Sequence, residues 1–144
     1  MREILFRGKR CDTGEWVQGF YVRADHHWHK NGVHKDWIIC GASANGGWFA
    51  LHNKYAVKAE TAGQFTGLTD KNGKKIFEGD IIKGNFSNYV IWADETERAF
   101  VYGKSYKGGY KNLMSDYLLK SSFPNGMEVI GNIHDNPELL EVVE

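Results

Sequence analysis

The stretch at residues 63–83, GQFTGLTDKNGKKIFEGDIIK, constrains the fold more than any other part of the chain. Two apolar segments, residues 64–68 and 76–82, flank the polar run Thr69-Asp70-Lys71-Asn72-Gly73-Lys74-Lys75. Asn-Gly between two apolar runs is a strong hairpin signal, because both central positions of a type I′ turn need positive φ. Asp70 can close a side-chain turn just ahead of it. After Phe77, Glu78-Gly79-Asp80 breaks the strand before Ile81-Ile82. The second arm is therefore expected to kink at Gly79, where glycine permits a bulge, and to feed a new strand. Asn72, Gly73, Gly79 and Asp80 are assigned to structural turns, and the stretch itself carries almost no chemistry.

The rest of the chain reads as short strands. Its 144 residues suit one domain with a substantial core. A hydrophobic share of 42% and an aromatic share of 14% exclude a disordered chain. Seventeen glycines against two prolines point to many turns, and the aromatic and β-branched residues favour strands over helices. Residues 3–9 and 16–22 pair across a turn at Asp12-Thr13-Gly14. Residues 36–41 read as a short buried strand, 43–47 as a loop, 48–51 as a strand piece and 55–59 as a weak alternation. Residues 88–93, 99–102, 110–113 and 128–133 continue the pattern, while 114–120 fit a helical turn or a strand equally. Asn136-Pro137-Glu138 has the order of a helix start, with Leu139, Leu140, Val142 and Val143 packing back. The boundary between an N-terminal β part, about 1–60, and a C-terminal part, about 61–144, falls near residues 59–63 with no linker composition.

Residues 63–83 also resemble the signature of the YopX family, small proteins of phages and prophages of Gram-positive bacteria and of Bacteroides. The opening Arg2-Glu3-Ile4-Leu5-Phe6-Arg7-Gly8-Lys9 resembles that family's first strand, and residues 128–140, EVIGNIHDNPELL, its last. The resemblance spans one domain, residues 1–144. It brings no assigned activity and so no catalytic residue to carry over. Together with the strand pattern it implies a mainly β fold of small antiparallel sheets, with a C-terminal SH3-like half-open barrel and a short C-terminal helix.

Eighteen basic and eighteen acidic residues cancel, which gives no overall pull toward nucleic acid or membrane. The distribution is uneven. Residues 1–60 hold nine basic and six acidic side chains, residues 61–111 eight and six, and residues 112–144 only Lys120 against six acids. The acidic end suits a solvated surface, head-to-tail self-association or a basic partner. Cys11 and Cys40 form no Cys-x-x-Cys pair, no signal peptide is expected ahead of them, and no apolar run is long enough to span a bilayer. The expectation is a protein of the bacterial host cytoplasm, off the membrane, with free thiols.

Chemistry has few candidates. His26, His27, His29 and His34 crowd into nine residues, and imidazole suits zinc, nickel and copper. No cysteine pair or spaced carboxylate completes a tetrahedral set, so no metal and no cofactor is expected, and an exposed or pH-sensitive loop is the alternative. Residues 41–46 have the outer glycine spacing of a P-loop but lack its Lys and Ser/Thr. No nucleophile elbow occurs, and Cys40 beside Ile38 and Ile39 reads as an inert core thiol. Tyr102, Lys104, Tyr106, Lys107, Tyr110 and Lys111 alternate around Gly108-Gly109, and such rings can stack bases while lysines meet phosphates. Lys104, Tyr106, Lys107, Tyr110 and Lys111 are thus the candidate nucleic-acid contacts. The leading expectation is a non-enzymatic module that binds another protein, its own copies included. The alternatives are a nucleic-acid module using residues 102–111 and a metal or enzymatic protein using residues 26–34.

Overall fold

The computed structural model describes residues 3–25, 34–45, 48–104, 111–115, 119–120 and 122–140. They form a mainly β protein that divides into two compact units, Met1–Phe65 and Thr66–Glu144.

The first unit holds β1 (Phe6–Lys9), β2 (Trp16–Asp25), β3 (His34–Asn45), β4 (Trp48–Val57) and the start of β5 (Gly63–Thr69). They line up as β4-β3-β2-β1-β5, with antiparallel neighbours. Gly14, at φ 74, makes the β1–β2 turn, and its amide donates to Arg10 O at 3.0 Å. Beyond β1 the sheet curls on itself. Arg10 bridges Val57, Cys11 N donates to Ala56 O, and Lys58 N donates to Lys9 O. Curling brings Gly8 so near Val57 that a β-carbon there would sit 3.0 Å from it. It also needs β2 and β3 close together: a β-carbon on Gly19 would lie 2.2 Å from Ile39 O.

Residues 43–45 differ from the expected loop. They extend β3, pairing Ser43 with Ala50, Ala44 with Phe49 and Asn45 with Trp48. Small polar residues carry little strand signal alone, but Trp48-Phe49 favours strand and supplies the partner. Cys40 also differs: both it and Cys11 are exposed and free, and the Cys40 thiol donates to Gln18 O at 3.1 Å. Ile38 and Ile39 are buried on opposite faces just before it, and apolar neighbours in sequence do not settle the burial of the next position.

The second unit holds the rest of β5, then β6 (Lys75–Phe77), β7 (Asp80–Lys83), β8 (Asn88–Asp94), β9 (Ala99–Gly103), β10 (Lys111–Leu113) and β11 (Val129–Asn132). β6 borders β5, while the others form an antiparallel sheet in the order β10-β9-β8-β7-β11. Ile76, Ile82, Ile91, Tyr102, Leu119 and Met127 make its core. Tyr89, Tyr102 and Phe123 meet edge to face around it, with ring centroids 5.5–6.3 Å apart. Residues 114–120 end in helical geometry: Leu119 N donates to Ser115 O and Phe123 N to Leu119 O.

The end strands β10 and β11 are not neighbours, so the five-stranded sheet is open. One expectation for this unit needs correction. The C-terminal helix is one 3-10 turn, Pro137–Leu140. Asn136 does not cap forward; its Oδ1 turns back toward Asn132 N at 3.4 Å, and a 3-10 bond joins Leu139 N to Asn136 O.

The turn at Asn72-Gly73 is not type I′. Gly73 has φ 79, but the non-glycine residues at positive φ among those described are Asn53 and Arg98, so Asn72 is on the ordinary side. Gly73 N donates to Asp70 O at 3.0 Å and Asp70 N to Lys74 O at 2.7 Å. That is a type I turn closed by a left-handed glycine, the three-residue hairpin loop. A β-carbon on Gly73 would meet nothing within 4 Å, so backbone strain is the whole penalty for a side chain there. Gly73→Val should lower stability by about 1–2 kcal/mol, read as a lower urea midpoint; an unchanged midpoint would contradict the turn.

Candidate binding surfaces

The two aspartates of residues 63–83 are spent on backbone. Asp70 Oδ1 accepts from Asn72 N and Lys74 N at 2.9 Å each, and Oδ2 accepts from Val129 N at 3.1 Å. Burial pushes the Asp70 carboxyl up, but the three amides and the nearby Lys74 outweigh it and hold it below the usual range. Asp80, 1% exposed, accepts from Phe77 N at 2.8 Å. Beside it Gly79, at φ 85, donates to Ile91 O and accepts from Ile133 N. Asp70 and Asp80 thus fix the corners of a sheet, their carboxylates engaged by backbone amides. In the first unit Asp36 is likewise buried, accepting from Tyr21 Oη and facing Arg23 Nε at 3.3 Å. Burial, then the Asp36 contact, pushes the Tyr21 phenol up.

Strand register places the side chains of the first unit on two faces. Phe6, Gly8, Val17, Gly19, Tyr21, Asp36, Ile38 and Val57 share the face on which the sheet curls. On the opposite face Lys9 pairs with Trp16, Phe20 with Ile39, Val22 with Trp37 and Ile39 with Lys54. Phe20 is 63% exposed and Val22 40%, two positions apart on one strand. Cations frame them. Arg7 lies 4.6 Å and Lys9 5.7 Å from the Trp16 ring centre, and Lys54 6.0 Å from that of Trp37. Among the described residues of this face on β1–β4 there is no Asp or Glu. Single exposed apolar side chains are ordinary; two aligned ones bordered by indoles and cations make a coherent patch. The sequence hid it, because Trp-Val-Gln-Gly-Phe-Tyr-Val does not alternate between polar and apolar residues.

The Tyr/Lys candidates are only partly in view. Tyr106, Lys107 and Tyr110 lie outside the described residues. Lys104 is exposed, whereas Lys111 is bound to Asp94 at 2.7 Å. The hydrogen bond from Lys111, helped by the Glu97 amide, holds the Asp94 carboxyl down at about 2. Lys111 is therefore neutralised within the chain. Residues 26–33, with three of the four clustered histidines, lie outside the described residues, and His34 is described only as a backbone position of β3. Among the described residues no group of three or more His, Cys, Asp or Glu could hold a metal ion, and no helix is long and apolar enough to cross a membrane.

One cleft, of about 250 Å³, opens in the second unit. Leu68, Leu119, Phe123 and Met127 give it apolar walls, and Lys71 and Lys120 stand among its lining residues. The hairpin turn forms one side, docked by Lys71 N donating to Met127 O at 2.8 Å.

Comparison with known proteins adds two findings. A family model described as YopX protein matches residues 5–141. The crystal structure of protein EF1440 from Enterococcus faecalis is similar at 25% identity and a TM-score of 0.59, covering 98% of this chain and 100% of that one. No curated protein matches.

Proposed function

The chain belongs to the YopX family, and from that premise we propose that it is a non-enzymatic protein-binding module of phage or prophage type that works in the host cytoplasm and associates with its own copies. The observation that carries this reading is the Phe20/Val22 patch, aromatic and apolar at its centre and cationic at its border, as protein interfaces favour. The acid excess of residues 112–144 gives a second copy a complementary charge, which would set register and rate more than affinity. In architecture we read the second unit as an SH3-like half-open barrel; its five short strands and the corner at Gly79 support that reading.

A nucleic-acid function is less well supported. One side of the Trp16 and Trp37 rings is already occupied by the chain's own cations, and Lys111 is tied to Asp94, so stacking surface and free charge are both reduced.

Sedimentation velocity over the micromolar range tests the proposal. The wild-type mass should rise with concentration, and the double variant Phe20→Ser/Val22→Ser should stay monomeric with an unchanged far-ultraviolet spectrum. A wild type that remains monomeric throughout removes self-association. A mobility shift of single-stranded DNA, lost in Lys104→Glu, would favour the nucleic-acid reading instead.

A further inference from the structure

The cleft of the second unit joins an apolar interior to positive charge. Its volume of about 250 Å³ is below the ~300–1,000 Å³ of sites that hold drug-sized ligands, and suits one large apolar side chain. Leu68, Leu119, Phe123 and Met127 offer the contact surface. Phe123 is held by Tyr89 and Tyr102, and Met127 and Leu119 belong to the core, so these walls are fixed before any ligand arrives. The polar lining is one-sided in charge. The carboxylate in the lining, Asp70, is consumed by three backbone amides. Lys71 faces Glu128 at 3.4 Å with its side chain 43% exposed, and Lys120 is exposed. A ligand that fills the apolar space therefore meets a lining whose unspent side-chain charge is positive, with Lys71 sharing its charge with Glu128.

We infer that this cleft binds a hydrophobic carboxylate: one large apolar group carrying an adjacent acid. That chemistry occurs in a free aryl or alkyl acid and at the carboxyl terminus of a peptide ending in an apolar residue. The site stands whether or not the β2 face binds protein.

Amide chemical shifts measured by NMR during titration test it with four probes: phenylpropionate, phenylpropionamide, acetyl-Gly-Gly-Phe and the amide of that peptide. Each acid should shift the Lys71, Lys120 and Gly126 signals and bind about fivefold more tightly than its amide, the size expected of exposed charge pairs. The variant Lys71→Gln/Lys120→Gln, whose changes lie at exposed and half-exposed side chains, should abolish that preference and leave the melting temperature within a few degrees. Tighter binding of the peptide than of phenylpropionate would assign the cleft to a chain terminus; equal binding would assign it to a free acid. Amides that bind as well as acids, an acid preference that survives loss of both lysines, or no shift at low-millimolar probe would each overturn the inference.

Discussion

Asp70→Ala should lower the stability of the protein by about 3 kcal/mol, because three backbone amides lose a charged acceptor at once. Two of them, Asn72 N and Lys74 N, shape the hairpin turn, and the third, Val129 N, opens the last strand. Asp70→Asn keeps the shape and one acceptor oxygen, and should lose about half as much. The difference between wild type and Asp70→Ala should also depend on pH. The folded-state pKa of Asp70 is lowered, so its stabilisation is complete above the unfolded value near 3.8 and is lost as pH falls through the folded value. Asp94, held at about 2, acts in the same direction over the same acidic range. Urea midpoints of wild type and variant should thus stay a constant distance apart from neutral pH to about pH 5 and converge below about pH 4. A constant gap down to pH 2 would mean that the alanine variant loses packing rather than an anion.

Gly19→Ala should be comparably severe, at about 3 kcal/mol. The added carbon would fall 2.2 Å from Ile39 O and 2.8 Å from Ile39 C, both backbone atoms, so relief requires β2 and β3 to separate. Gln18→Ala, at the neighbouring exposed position, should change stability by less than about 0.5 kcal/mol. Urea unfolding of the two variants checks this; a Gly19→Ala midpoint equal to that of wild type would place the strands further apart than described. The effect belongs to spacing rather than to conformational freedom, which sets Gly19 apart from Gly73, where φ alone matters.

The mainly β character was legible in the sequence because Ile76, Ile82, Val90 and Ile91 sit in compact apolar runs between turn residues. What was not legible depended on pairing partners that single-residue propensity does not encode. The extension of β3 through Ser43–Asn45 is decided by Trp48-Phe49 across the hairpin. The conformation of Asn72 is decided by Asp70, whose carboxylate bonds Asn72 N and Lys74 N and favours a type I turn. The exposure of Phe20 and Val22 follows from the curl of the sheet toward the other face, which rests on contacts between Arg10 and Val57. The cleft joins Leu68 to Phe123, residues that no local pattern links.

The hydrogen bond from Val129 N to Asp70 Oδ2 spans 59 residues, and it carries a consequence for biosynthesis. As the chain leaves the ribosome, the Asp70 turn is complete in sequence long before its last ligand exists. Until Val129 emerges, Asp70 has only its two local amides, and β7 lacks β11, its neighbour on one side. Contacts of such sequence separation form late and slow folding. The nascent second unit therefore passes through an interval in which Ile81 and Ile82 sit on an unfinished sheet edge, open to chaperones and proteases. Stalling translation between codons 84 and 128 should leave that region sensitive to limited proteolysis, and release of residues 129–140 from the exit tunnel should close it in a single step.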